Sequence, residues 1–585
     1  MFVTGMFAAL GATPAAAGAA TGGVESVGGV KGVGGVGGVG RVARPPRGVT
    51  LRARPASVSL GRRTVSTWAY GESLPGPRID ATAGGVVRAR LVNDLPAPTT
   101  VHWHGIRIDP RMDGAPGYTQ QPTRPGGTFD YVFEVPDPGT YFYHSHVGMQ
   151  NDRGLYGPLI VEDPREPLGY DEEFTVLLDD WLDGVSGTPD DALRRLNAST
   201  EHDDTLRSDL LGGVVGELRH PYHLVNGRTP DAPAVFISRP GRLVRFRVIN
   251  AAADTPFRVA LGGHRIAITH TDGFPCRPVT VDTFLIGMGE RYDFLVRLGP
   301  GAFPLVAEAE GKRARAFAVV RTTKLASTPN RNVRLPELNG RILTYADLEA
   351  RDSDELPRPA RRVTVTLGMR PSGNEWTMND RLANDPMRLR VERGETIRIV
   401  LDNQSPMWHP MHLHGHTFQL RGTGWGGPRK DTVNVKPRER LNIDVQADNP
   451  GEWMFHCHNL YHQEQGMMGT FGYGPQPPGL GHSTHGNQGG QGGQGSRSDR
   501  GGRGGNGTPA GHAGQGVHGG RAGHGGQDTR GGRDGDGGHA GRGGDGGRGD
   551  GARGGQGGAG SHGASRPDKP AERPTSRRHR READH

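Results

Sequence analysis

Cysteine is almost missing from this chain of 585 residues, which has only Cys276 and Cys457. A disulfide framework is therefore excluded, and if Cys457 holds a metal no disulfide can form, so the thiols carry no information about compartment. Structural zinc sites made of four cysteines, or of two cysteines and two histidines, cannot be built around one cysteine. Also missing, after the first twenty residues, is any apolar run long enough to span a bilayer. Nor does 64–475 contain a sustained helical apolar period, apart from short candidates near 190–196 and 345–350.

Glycine is abundant by contrast, at 97 residues, and just over half of it falls in 21–40 and 476–585. Those stretches lack the apolar side chains that offset the entropy of ordering and read as disordered. The net charge of +8 follows the same division, with +7 on residues 1–63, +6 on 476–585 and −5 on 64–475. The folded part is thus mildly acidic, which removes the case for specific nucleic-acid binding that the basic pI suggests. Residues 1–20 are apolar and Ala-rich, with small-residue cleavage candidates at 15–20. They resemble a signal peptide without its positive start, and the expectation is export.

An internal repeat organises the middle. Gly84-x3-Arg88-x4-Asn93 recurs as Gly241-x3-Arg245-x4-Asn250 and as Gly394-x3-Arg398-x4-Asn403. Each copy is a Gly turn followed by a strand-like run. The expected fold is all-β, three consecutive Greek-key β-sandwich domains at 64–165, 166–330 and 331–475, flanked by a leader and linker (1–63) and a tail (476–585). Nine residues after the repeat's Asn, the first domain has His102-Trp103-His104 and the third has His412-Leu413-His414, where the second has Val259-Ala260-Leu261. Near their ends the first and third domains carry His144-Ser145-His146 and His456-Cys457-His458, where the second reads Val306-Ala307-Glu308, mainly apolar. The middle domain keeps the scaffold without the metal chemistry.

In a strand, residues i and i+2 share a face, so each His-x-His presents two imidazoles together. If the first and third domains meet, eight imidazoles converge, enough for three metals with two, three and three ligands. Imidazole suits copper and zinc, and reduction of O2 needs a redox metal. Cys457 points to the opposite face, with His409, His462 and Met467 near it in sequence, a blue-copper electron-transfer set.

These motifs, His102-Trp103-His104-Gly105, His144-Ser145-His146, His409-Pro410-Met411-His412-Leu413-His414-Gly415 and His456-Cys457-His458-x3-His462-x4-Met467, resemble those of the three-domain multicopper oxidase family over about 64–475. Asp179-Asp180-Trp181 and Met288-Gly289-Glu290-Arg291-Tyr292-Asp293 look like its actinobacterial laccase-like members. The resemblance implies cupredoxin-like domains and four copper ions. Type 1 copper would take His409, Cys457, His462 and Met467, and type 2 copper His102 and His412. The type 3 pair would take His104, His144, His146, His414, His456 and His458. It also implies that Asp113 delivers protons, since O2 reduction to two waters consumes four. Some bacterial relatives have an acid directly after the second type 1 His; this chain has Gln463 and then Glu464, a second candidate. Cys276 reads as a buried small hydrophobe. Met407, Met411 and Met468 read as packing, with a Cu(I) path as the alternative. The tail histidines read as part of a solvated low-complexity segment.

The expected activity is four one-electron oxidations of a phenol, an aromatic amine or Cu(I), Fe(II) or Mn(II), coupled to reduction of O2 by a monomeric, laccase-like enzyme. The alternatives are a cuprous or ferrous metallo-oxidase and a copper carrier without oxidase activity.

Overall fold

Strands account for nearly all the regular structure. The computed structural model describes residues 48–474 except 200–202, 204, 352–354 and 423–425. The signal-like leader, most of the Gly-rich segments and the tail histidines lie outside the described residues.

Three pairs of sheets follow in chain order. The first sandwich stacks Thr64–Tyr70, Val49–Ser59, Gly85–Asn93 and Thr128–Val135 against a sheet ordered Ile79–Thr82, Tyr156–Glu162, Gly139–His144 and His102–His104. The middle one has two six-stranded sheets between Glu172 and Leu343. The third pairs a six-stranded sheet centred on Thr396–Asn403 and Arg440–Gln446 with a five-stranded one that holds Glu452–Cys457 and His409–Leu413. One correction to the sequence reading concerns 1–63, expected as leader and linker. Val49–Ser59 is a strand, antiparallel to Thr64–Tyr70 and parallel to Gly85–Asn93. Its apolar residues Leu51, Ala53 and Val58 are buried in the core, and its arginines had masked that alternation. Residues 189–198 form a helix capped by Thr188 and Asp191, while 345–347 make only a 3-10 turn. Cys276 is buried in the middle core, where burial pushes its thiol up to about 12.

The repeat has a physical basis. Gly84, Gly241 and Gly394 sit at φ +77, +83 and +84, a left-handed turn that glycine adopts without strain. Each repeat Asn is fully buried and staples the chain as it leaves the strand. Asn93 Nδ2 donates to the carbonyls of Ala97 and Thr123, Asn250 Nδ2 to Thr255 and Ile286, and Asn403 Nδ2 to Met407 and Val435. Each Oδ1 accepts the amide two residues on, from Leu95, Ala252 and Ser405. Buried amides need such partners, and the staple aims the following strand, which in two domains carries His-x-His.

Candidate metal centre

Strand register brings the histidines together. His102 lies opposite His144, and His412 opposite His456, while Trp103 and Leu413 between the pairs point into the cores. His146, His414 and His458 fall just past the ends of their strands, so of the four pairs expected on strands only His102 and His104 lie wholly within one. The first and third sandwiches meet along these residues: His102 stacks on His414 and His104 on His412, each with ring centroids 3.8 Å apart. All eight rings are buried.

Hydrogen bonds fix which ring nitrogen faces inward. Nδ1 donates at 2.9 Å to a backbone carbonyl in His102 (Asp113), His144 (Ser145), His412 (Asp431) and His456 (Cys457). A carbonyl only accepts, so Nδ1 holds the proton and Nε2 a lone pair. His414 Nδ1 is bound the same way by Asp113 Oδ2, also at 2.9 Å. His104 is reversed: its Nε2 lies 3.1 Å from Asp431 Oδ1 and its Nδ1 has no partner. Candidate ligand atoms of His104, His144 and His458 lie within 4.8 Å of one another, as do those of His146, His414 and His456, and those of His102 and His412 with His104. Counting His104 in the first of these threes leaves His102 and His412 as a pair, a division that would suit three metals.

The chemistry of these donors calls for cations. His102 Nε2, His144 Nε2, His412 Nε2 and both nitrogens of His458 are buried without a hydrogen-bond partner, a costly state for a polar atom. The lone pairs of His414 Nε2 and His456 Nε2 face each other at 3.0 Å. Burial, reinforced by neighbouring imidazoles, pushes seven of the buried histidines well below the usual imidazole range. The rings are thus neutral and free to ligate, and copper fits this set.

On the other face of Glu452–Cys457, Cys457 Sγ lies 3.7 Å from both His409 Nδ1 and His462 Nδ1, which are 3.1 Å apart. His409 Nε2 donates to Ser405 Oγ at 2.7 Å, and His462 Nε2 stands 3.3 Å from Glu217 Oε1 of the middle sandwich. The His409 Nδ1 lone pair therefore points at the thiol, and His462 Nδ1 stands at the same distance from it. Burial pushes that thiol up, so it ionises only with a cation beside it. The carbonyl of fully buried Met467 accepts from Cys457 N at 3.1 Å, and Trp376 covers both imidazoles. His462 sits on a short helix, Leu460–Glu464, capped by Asn459.

Asp113 follows a 3-10 turn, Pro110–Met112, and touches histidines of both sandwiches, His414 at 2.9 Å and His102 at 3.2 Å. Glu464 is not brought into the cluster. It is exposed on the short helix and accepts from Gln463 Nε2 at 3.1 Å. Met407 and Met411 are buried in the core and Met468 is half-buried.

Sequence reasoning missed Asp431, Arg291, Ser405 and Glu217. Asp431 accepts from His104 and is gripped by both terminal nitrogens of Arg291 at 2.7 and 2.6 Å. Burial alone would push the Asp431 carboxyl up, but the guanidinium outweighs it and holds the group well below the usual range. Arg291 lay in view, inside a motif read only for its family texture.

Comparison with known proteins agrees with this arrangement. Family models described as multicopper oxidase match residues 53–166, 172–329 and 355–477. The chain is 45% identical over 448 residues to multicopper oxidase MmcO of Mycobacterium tuberculosis, covering 74% of this chain and 88% of that protein. It is 27% identical to a copper resistance protein A homolog of Pseudomonas syringae pv. tomato, covering 72% of this chain and 91% of that protein. The crystal structure of a multi-copper oxidase from Pseudomonas thermotolerans superposes with a TM-score of 0.58 at 27% identity, covering 73% of this chain and 99% of that one.

Proposed function

Because this chain belongs to the multicopper oxidase family, oxidoreductases that carry four copper ions and use O2, we propose that it is an exported, laccase-like enzyme whose preferred donor is a phenol or aromatic amine. One observation carries the reading: eight buried imidazoles converge between two sandwiches, with a thiol on the reverse of one of their strands. His104 Nδ1, His144 Nε2 and His458 would hold one type 3 copper, and the Nε2 atoms of His146, His414 and His456 the other. His102 and His412 would hold type 2 copper through Nε2. Cys457 Sγ with His409 and His462 Nδ1 would hold type 1 copper, with Met467 as a weaker fourth ligand.

When bound, copper supplies one-electron redox chemistry, four electrons from the donor reducing O2 to two waters. The chain's own residues do the rest. Peptide bonds join Cys457 to His456 and to His458, so the donor-side site and the O2-side site are covalently continuous. Asp113 Oδ1, buried and without a hydrogen-bond partner, is the place to hold a proton beside His102. Glu217, against the outer nitrogen of His462, is placed to accept the proton that a phenol releases on oxidation. Glu464, with no contact to the eight histidines, takes no part in this account.

The metallo-oxidase alternative drew on Met407, Met411 and Met468 and on the histidines of the tail, which lie outside the described residues. Two of these methionines are buried in packing, which favours the phenol reading. Steady-state O2 uptake with 2,6-dimethoxyphenol and with Cu(I), with and without added Cu(II), tests the choice. A fast phenol rate beside a negligible Cu(I) rate is expected; the reverse order makes the protein a metallo-oxidase, and no uptake with either donor makes it a carrier. Export is supported by the signal-like residues 1–20, and no helix among the described residues is long and apolar enough to cross a membrane.

A further inference from the structure

The first and third sandwiches treat their histidines alike, with one exception. The backbone carbonyls of Asp113 and Asp431 accept from His102 and His412, the leading histidines of their own sandwiches, both at 2.9 Å. Their carboxylates reach across to the trailing histidines of the opposite sandwiches, Asp113 to His414 at 2.9 Å and Asp431 to His104 at 3.1 Å. The likeness ends there. Asp113 has an oxygen without a hydrogen-bond partner, whereas both oxygens of Asp431 are bound by Arg291, which belongs to the ligand-free middle sandwich. His104 is also the ring turned the other way round.

Building on the copper reading above, we propose that Arg291 is a positioning residue. Its guanidinium fork fixes the plane of the Asp431 carboxylate, which accepts the His104 Nε2–H and so leaves Nδ1 as the nitrogen that would hold copper. Arg291 is itself rigidly seated. Nε donates to the Thr140 carbonyl at 3.0 Å and Nη1 to the Gly289 carbonyl at 2.9 Å, so all three sandwiches are tied at one side chain. Asp272 stands 3.6 Å from Nη1 and accepts the amides of Asp431 and Thr432 at 3.2 and 3.1 Å. Gly105, directly after His104, has φ +86, and any side chain there would collide with Arg291 Nη2. A planar fork sets a carboxylate's plane, which a lysine ammonium cannot do. Partners of this kind orient ligating histidines and tune the metal. The middle sandwich, which has no ligand of its own, thereby sets the orientation of one.

The test compares Arg291→Lys and Arg291→Gln with wild type in copper per chain, blue absorbance, type 2 EPR parameters and Tm. Arg245→Gln is the control: Arg245 is equally buried, pairs with Asp293 and Glu166, and touches none of the eight histidines. Both Arg291 variants should keep the wild-type blue absorbance per chain, hold one non-blue copper roughly 10- to 100-fold more weakly, and show a changed type 2 hyperfine splitting. Arg245→Gln should lower Tm and leave copper content and EPR unchanged. Arg291 variants that retain four coppers with wild-type EPR parameters overturn the proposal. If they fail to fold, Asp431→Asn replaces them, and four tightly held coppers with an unchanged EPR signal there overturn it equally. A wild-type protein without a blue band or four coppers would instead refute the copper reading on which this rests.

Discussion

Stripping the copper and lowering the pH from 7.5 to 5.5 should destabilise the metal-free protein by several kcal/mol, while the loaded protein barely responds. Seven imidazoles set the sign: His104, His144, His146, His409, His414, His456 and His458, all pushed well below the usual range first by burial. In the unfolded chain each gains a proton as the pH falls through about 6.5, and in the folded chain it does not. The unfolded state binds more protons across this window, so stability falls with pH. At pH 5.5 the loss is roughly 1.4 kcal/mol per group, about 10 kcal/mol for the seven. Buried carboxylates act in the opposite direction. Burial raises Asp179 well above its usual value and Asp183 and Asp272 to about 6, so the folded chain takes up their protons first. Asp152, Glu464 and His220, also raised, act with them, while His223, His270, His412 and His416, also lowered, add to the loss, so the net remains a loss of several kcal/mol, comparable with the whole stability of many domains. Copper on the ring nitrogens competes with the proton and should flatten the response. Thermal melts at half-unit pH steps, with and without copper, make the measurement. A metal-free Tm that stays level from pH 7.5 to 5.5, or a loaded protein that declines in parallel, refutes the reasoning.

Three substitutions probe single roles. Cys457→Ser should abolish the blue band and lower copper from four per chain to three, with donor oxidation lost; metal analysis and visible spectra read this directly. Asp113→Asn should slow O2 turnover by roughly 10²-fold or more without slowing anaerobic reduction of the blue copper, which stopped-flow separates. Gly105→Ala, forced to φ +86 against Arg291, should cost about 1–3 kcal/mol from backbone strain and more from the displaced guanidinium, seen as a lower Tm with weakened copper binding.

The parts of the site that sequence made legible are those that repeat. The Gly-x3-Arg-x4-Asn spacing marks turn, strand and staple in each sandwich, and the nine-residue offset from Asn93 and Asn403 leads to the histidines because the stapled loop has a fixed course. Residues that act through one contact made far away in the chain left no such trace. Asp431 meets His104 across 327 positions and Arg291 across 140, and nothing local distinguishes it from any Asp beside a Lys. Glu217 reaches His462 from a middle-domain loop for the same reason. Val49–Ser59 was hidden because one face of its sheet is solvated, so the strand alternates apolar residues with arginine and reads as a basic linker. Glu464, suggested by the acid that some bacterial relatives carry directly after the second type 1 His, is exposed on its helix and hydrogen-bonded by Gln463.

The intact Asn250 staple in a sandwich with no ligands separates architecture from chemistry. Val259 and Leu261, at the offsets of His102 and His104, are fully enclosed hydrocarbon. Putting imidazoles there would strand their nitrogens in oil with nothing to bind, so two substitutions could not recruit this copy for a further cluster. The spare seat is already filled, and its occupant is what frees the middle sandwich to brace its neighbours.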